Sequence, residues 1–104
     1  MAQFDVYENC NPETSRTFPY LLDVQADILD NLPTRVVVPL VKSSLLKKVA
    51  PVLNPILKIA SAEVVMVTPQ IAGVPVRILG KRVSSLKEER KTIIAALDML
   101  VVGY

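Results

Sequence analysis

Two acid pairs, Asp27 with Asp30 and Glu88 with Glu89, and one arginine beside a hydroxyl, Arg35 with Thr34, are the residues whose types and spacing could do chemistry in this chain. Paired carboxylates can divide acid and base work, and an arginine with a Ser/Thr or carboxylate partner can support metal-free cleavage of RNA. Histidine is absent, so Ser–His and Cys–His nucleophile pairs and histidine metal sites are excluded. Cys10 is the lone cysteine, which excludes an internal disulfide and a cysteine/histidine zinc site. No phosphate-loop or dinucleotide motif occurs, and the three glycines, at 73, 80 and 103, cannot line such a loop. Glu88 and Glu89 stand where a helix starts and suit its dipole as solvated side chains. Asp23, Asp27 and Asp30 flank a strand end, where acids are ordinary. These residues point to a protein that works by contact, with no cofactor and no metal.

The far end supplies the other candidate. In the final stretch LDMLVVGY every one of the last six residues except Gly103 is apolar or aromatic, whereas chain ends are commonly polar and loosely held. Either Leu100 and Val101 complete a helix's core stripe, with Val102 and Tyr104 packing across a dimer axis, or the end is itself a binding element released by Gly103. A glycine past a helix end is a common stop and does not choose between them.

The elements that position these residues follow from pattern. A chain of 104 residues with 51% hydrophobic and 21% charged residues suits one compact domain, here expected over 1–104. No apolar run approaches the ~20 residues of a membrane span, and MAQFDVYENC does not read as a signal peptide, so a cytoplasmic protein is expected. The net charge of +2 hides an asymmetry: residues 1–31 carry six acids against Arg16, and the remainder carries eleven bases against four acids. The two parts either attract each other as solvated faces, or the basic part receives an acidic partner. No dense basic stripe with interleaved aromatics points to direct nucleic-acid binding.

AQFDVYEN alternates as a half-buried strand, and FPYLLDVQ places Tyr20, Leu22 and Val24 on one face. RVVVPLVK is β-branched, with Pro39 expected at a sheet edge, a bulge or a strand end. SSLLKKVA is expected to make one or two helical turns, ended by Pro51. NPILKIAS, EVVMVTPQIAG and VPVRILGKRV read as further strands punctuated by Pro69, Gly73 and Gly80. Eight prolines suit a small bent barrel. From Ser84 the pattern changes period: Leu86, Arg90, Ile93, Ile94, Leu97 and Leu100 or Val101 form a helical stripe. Ser85 and Glu88 fit a capping box. The expected fold is mainly β, an antiparallel barrel over 1–83, followed by one C-terminal helix of about four turns over 84–102.

QFDVYEN, LLDVQADILDNLPTRVVVPL, GVPVRILG and AALDMLVVGY together resemble the CcdB family of bacterial toxins over essentially the whole chain. DVQADILD followed by RVVVPL is the most specific part, and Val41 to Glu63 matches loosely. The resemblance implies an SH3-like barrel of the CcdB/MazF toxin type and a symmetric homodimer. It also implies a toxin of a toxin–antitoxin module, which binds the DNA gyrase A subunit and traps the gyrase–cleaved DNA complex without catalysis of its own. A CcdA-like antitoxin neutralises such a toxin, and the two together repress their operon, so that operator DNA is met only through the antitoxin complex.

Carried over residue by residue, the gyrase-binding set is Ile28, Leu29 and Asp30 after the D-V-Q-x-D motif, Asp98 in the helix, and Val102, Gly103 and Tyr104 at the end. Val102 stands where the best-known member has a tryptophan, which stacks on a gyrase arginine. Valine retains apolar burial worth ~1–2 kcal/mol and loses the cation–π part. Lys81, Arg82 and Lys87 are the residues across which an acidic antitoxin segment would lie. Two other readings stay open: a MazF/Kid-like ribonuclease using Arg35 or Arg77, and a degenerate toxin acting only as antitoxin-binding corepressor.

Overall fold

The computed structural model describes residues 1–45 and 50–103. Among the described residues seven strands, β1 (Asp5–Asn9), β2 (Tyr20–Asp23), β3 (Thr34–Lys42), β4 (Ile56–Ile59), β5 (Ala62–Met66), β6 (Ala72–Pro75) and β7 (Leu79–Ser85), precede one α-helix, α1 (Arg90–Val101). The strands form one sheet in the order β4-β5-β3-β2-β1-β7, with β6 beside β3, and every pairing is antiparallel. The result is a curled half-barrel with a C-terminal helix against it. Among the described residues no helix is long and apolar enough to cross a membrane.

The longest strand organises the sheet. Along one side β3 pairs with β2; along the other it serves β6 through Thr34–Val37 and β5 through Leu40–Lys42. Pro39 falls at this change of partner, in mid-strand, and not at an edge, a bulge or a strand end. Opposite Leu21 of β2, its carbonyl turns the other way and accepts the Val67 N–H at 3.0 Å. Its nitrogen therefore also faces the gap between β6 and β5, where no ladder donor is required.

Strand alternation sorts the side chains onto two faces. Val6, Leu22, Val38 and Leu40 lie on one, where they meet Ile93 and Ala96 of α1 together with Phe4, Leu57, Val64, Met66 and Leu86. Tyr20 packs against this core and Val24 lies within it, as the period-two pattern predicts. The opposite face carries Tyr7, Leu21, Asp23, Arg35 and Val37, all buried.

The helix begins later than residue 84. Ser84 and Ser85 belong to β7, paired with Val6 and Asp5, and the Leu86 N–H donates to the Phe4 carbonyl at 2.8 Å. Only then does a 3₁₀ turn over Lys87–Glu89 lead into Arg90. The capping box does not form: Ser85 Oγ accepts the Lys87 N–H, two residues on, at 3.3 Å, and neither turn nor helix has a side-chain cap. Ladder pairing holds Ser85 extended, so α1 has 12 residues, about three turns. Its inner stripe is Ile93 and Ala96, with Ile94 and Leu97 partly covered. Leu100 and Val101 do not complete it, and Val101 is 80% exposed.

Gly73 and Gly80 lie inside β6 and β7 and do not separate strands. At Gly80 a Cβ would meet Cys10 Sγ at 2.6 Å, so the missing side chain lets the loop after β1 approach β7. Ser43–Leu45 form one 3₁₀ turn; the continuation of the expected helical turns over 46–49 lies outside the described residues. The β4–β5 hairpin turns on Ala60 and Ser61, with Ile59 opposite Ala62 and Ala60 in the left-handed region at φ 54°. Alanine pays a steric penalty there that glycine does not. Ala60→Gly is expected to raise stability by about 0.5–1 kcal/mol, read as a melting-temperature increase of a few degrees.

Candidate binding site

The loop between β2 and β3, VQADILDNLP, buries Val24 and turns its other large apolar residues outward. Ile28 is 89% exposed, and Leu29, Leu32 and Val36 are exposed beside it. A single 3₁₀ turn over Asp27–Leu29 shapes the segment, with backbone bonds from Leu29 N to the Ala26 carbonyl at 2.9 Å and from Asp30 N to the Asp27 carbonyl at 3.1 Å. So short a turn has little stability of its own. Three residues beneath and beside it hold it in place.

Arg35 is the first. Its position in β3 points it to the polar face, where it is fully buried. Nε and Nη2 donate to Asp23 Oδ2 at 2.9 and 2.6 Å, and Nη1 donates to Asp30 Oδ1 at 2.9 Å. The planar guanidinium thus bridges an immobile strand residue to the loop. Gln25 is the second: its Nε2 donates to the Leu29 carbonyl at 2.8 Å, and its Oε1 accepts the Val36 N–H at 3.0 Å. Gln3 is the third, its backbone N–H reaching Asp27 Oδ1 at 2.7 Å and its side-chain amide the Val24 carbonyl at 3.2 Å.

Asp23 completes the base by accepting the Gln25 N–H on Oδ1 at 3.0 Å. Burial pushes its carboxyl above the ordinary aspartate value, against the pull of Arg35 and of the Gln25 N–H. Nearby, Tyr7 Oη donates to Asp5 Oδ2 at 3.3 Å. Burial, with the Asp5 carboxylate second, pushes the Tyr7 phenol from 10.0 up to about 12.

A second apolar surface closes α1. Asp98 is exposed, and its carbonyl accepts the Val102 N–H at 2.7 Å and the Gly103 N–H at 3.1 Å. Gly103, at φ 92°, turns left-handed as the chain leaves the helix, its N–H also reaching the Met99 carbonyl at 3.1 Å. Val101 and Val102 are exposed. Tyr104 lies outside the described residues.

Among the described residues no hydrogen bond or ion pair joins Ile28, Leu29 and Asp30 to Asp98, Val102 and Gly103. The first group is held beside Asp27, which accepts the Gln3 N–H, and the second lies at the C-terminal end of α1.

Lys81, Arg82 and Lys87 are all exposed, the first two on β7 and the third opening the 3₁₀ turn before α1. Arg82 is engaged locally, its Nε 3.1 Å from Asp5 Oδ1. Among the described residues no ion pair involves Lys81 or Lys87.

Arg35 with Thr34 does not make a cleavage pair. Adjacent strand residues face opposite ways, and the guanidinium is buried and occupied by two carboxylates, out of reach of an RNA phosphate. A pocket of about 190 Å³, floored by Leu21, Val37, Pro39 and Val74, lies within the curl of the sheet and includes none of the sequence-predicted site residues.

Sequence reasoning missed Gln3, Asp23 and Gln25 as parts of the site. The available signal was Arg35 in step with Val37 on one face of a β-branched strand, where a buried charge calls for an acidic partner. A model of a protein family, described as CcdB protein, matches residues 3–103 of the chain.

Asp23→Ala is expected to cost roughly 3–5 kcal/mol in chemical denaturation, because it strands a buried guanidinium. The Tyr7 phenol binds a proton in the folded chain that an unfolded chain has released, so its contribution to stability is present below pH ~10 and fades as pH rises toward 12. Absorbance titration should show a tyrosine ionising near pH 12, and Tyr7→Phe should remove that step.

Proposed function

The chain belongs to the CcdB family, whose members are toxins of toxin–antitoxin modules, and from that premise we propose that it is a binding poison of DNA gyrase. In this reading a homodimer engages the gyrase A subunit and traps the complex with cleaved DNA. A CcdA-like antitoxin neutralises it, and the two together repress their operon. The gyrase-binding surface comprises Ile28 and Leu29 with the adjoining Asp30, and Asp98, Val102, Gly103 and Tyr104 at the far end of α1. No catalytic step is assigned to the chain.

The observation that carries this reading is Ile28, a large apolar side chain 89% exposed on a turn fixed from below. Covering such a side chain is worth ~1.5–3 kcal/mol, and a turn already ordered loses little entropy when a partner covers it. The exposed Val101 and Val102 offer a second apolar surface, consistent with a two-part contact. The complete enclosure of Arg35 speaks against a ribonuclease reading built on it, which leaves Arg77, exposed on the turn Val76–Ile78, as that reading's candidate.

For the antitoxin, Lys81 and Lys87 supply positive charge toward an acidic segment, with Arg82 shared with Asp5. Exposed pairs of this kind contribute little individually and are screened by salt, so apolar anchors in the antitoxin would carry much of its affinity.

Gyrase-mediated DNA cleavage, measured with the intact chain and with a chain lacking Gly103 and Tyr104, tests the reading. Accumulation of cleaved DNA with the intact chain only is the expected result, and Ile28→Ala should weaken the effect about tenfold. If the folded, intact chain leaves gyrase unaffected, the poison assignment fails and the corepressor reading takes its place.

A further inference from the structure

We propose that Arg35 is a positioning residue for the Ile28 surface and that Asp30 is its latch, acting inward on the guanidinium in preference to meeting a partner. This rests on the assignment of Ile28 and Leu29 to the gyrase-binding surface. It assigns a role to a residue within the fold and alters the role of one carried over as a contact.

The geometry gives Arg35 one free direction to use. Nε and Nη2 are both committed to Asp23 Oδ2, on a side chain of β2 that is fully buried. A planar guanidinium fixed along that edge also has its remaining nitrogen fixed. That nitrogen, Nη1, meets Asp30 Oδ1 at 2.9 Å. Asp30 is 52% exposed at its side chain while Arg35 is 1% exposed, so the bond crosses from the interior to the surface. It joins the sheet to the residue that ends the 3₁₀ turn, whose own N–H closes that turn on the Asp27 carbonyl at 3.1 Å.

The other tethers fall on either side of Ile28. Asp27 is held by Gln3 at 2.7 Å, and the Leu29 carbonyl by Gln25 at 2.8 Å. Ile28 has no side-chain tether of its own and is the most exposed large apolar residue described. A turn pinned at 27, 29 and 30 and free at 28 presents that one side chain in a fixed attitude. Preorganisation of this kind raises affinity by removing an ordering cost from the binding step.

The test uses the full chain and its Asp30→Ala, Asp30→Asn, Ile28→Ala and Asp30→Ala/Ile28→Ala forms. It reads backbone amide exchange at Leu29, Asp30 and Leu32 and affinity for the gyrase A subunit. Asp30→Ala is expected to speed exchange at those amides and to weaken gyrase A binding, each about tenfold. Asp30→Asn keeps an acceptor for Nη1 and should recover much of both. On the Ile28→Ala background, Asp30→Ala should weaken binding little further, because the side chain it positions is gone.

Weakened binding with unchanged exchange would overturn the proposal and make Asp30 a direct contact. Faster exchange with unchanged binding would overturn it by showing that turn order does not matter. If Ile28→Ala alone binds gyrase A as tightly as the parent chain, the surface assignment itself fails. The exchange arm needs no partner, and it still reports whether the latch orders the turn.

Discussion

A guanidinium buried in a fold of this size is a demanding constraint. An arginine side chain stays charged, and an isolated ion in the interior would cost several kcal/mol. Asp23 must therefore lie on the neighbouring strand in the register that puts both residues on one face, and the loop must return close enough for Asp30 to take the third donor. Slipping β2 against β3 by one residue would move Asp23 to the opposite face and leave the charge unpaired. Hydrophobic alternation already favours the observed register, and the ion pair adds a strong penalty against the alternatives.

That constraint divides the sheet's work. One face is a conventional apolar core against α1, in which Val6, Leu22, Val38 and Ile93 exclude solvent. The other is buried too, but it holds polar groups whose bonds are specific: Asp23 with Arg35 and Gln25, and Tyr7 with Asp5. β3 is the hinge between the two roles. It carries Arg35 at one end and serves two different strands along a single edge, which is what allows Pro39 to stand in mid-strand without an unpaired donor. Phe4, left-handed at φ 73°, ties the same region to the helix. Its N–H donates to the Asp23 carbonyl at 2.6 Å and its carbonyl accepts from Leu86.

The exposed apolar residues follow a different logic. A surface valine or isoleucine alone needs no explanation. Ile28 differs because hydrogen bonds from Gln3, Gln25 and Arg35 hold the turn that exposes it. Val101 and Val102 differ because the helix runs on past its last buried position, Ala96, and the partly covered Leu97 to Val101, with Val102 following before the turn at Gly103. Both are exposed apolar features of a chain of the CcdB family, and one of them stands on a turn held by hydrogen bonds from the sheet.

Sequence alone determined what local periodicity and composition can specify: a mainly antiparallel β chain, the strands around Val6, Leu22 and Val38, a C-terminal helix with Ile93 inward, and family membership through DVQADILD and RVVVPL. The absence of histidine was also legible there and ruled out histidine-dependent chemistry. Long-range pairing decided the rest. The helix start moved from residue 84 to the turn at Lys87 because Ser84 and Ser85 are claimed by β1, a ladder that local propensity cannot register. Leu100 and Val101 fit the helical period but are exposed, because periodicity names a face and not how far the underlying sheet extends. Arg35 read as a possible RNA-cleaving residue beside Thr34, and tertiary structure made it an interior bracket. Its partners are 12 and 5 residues away, and only the folding of β2 onto β3 brings their carboxylates to it.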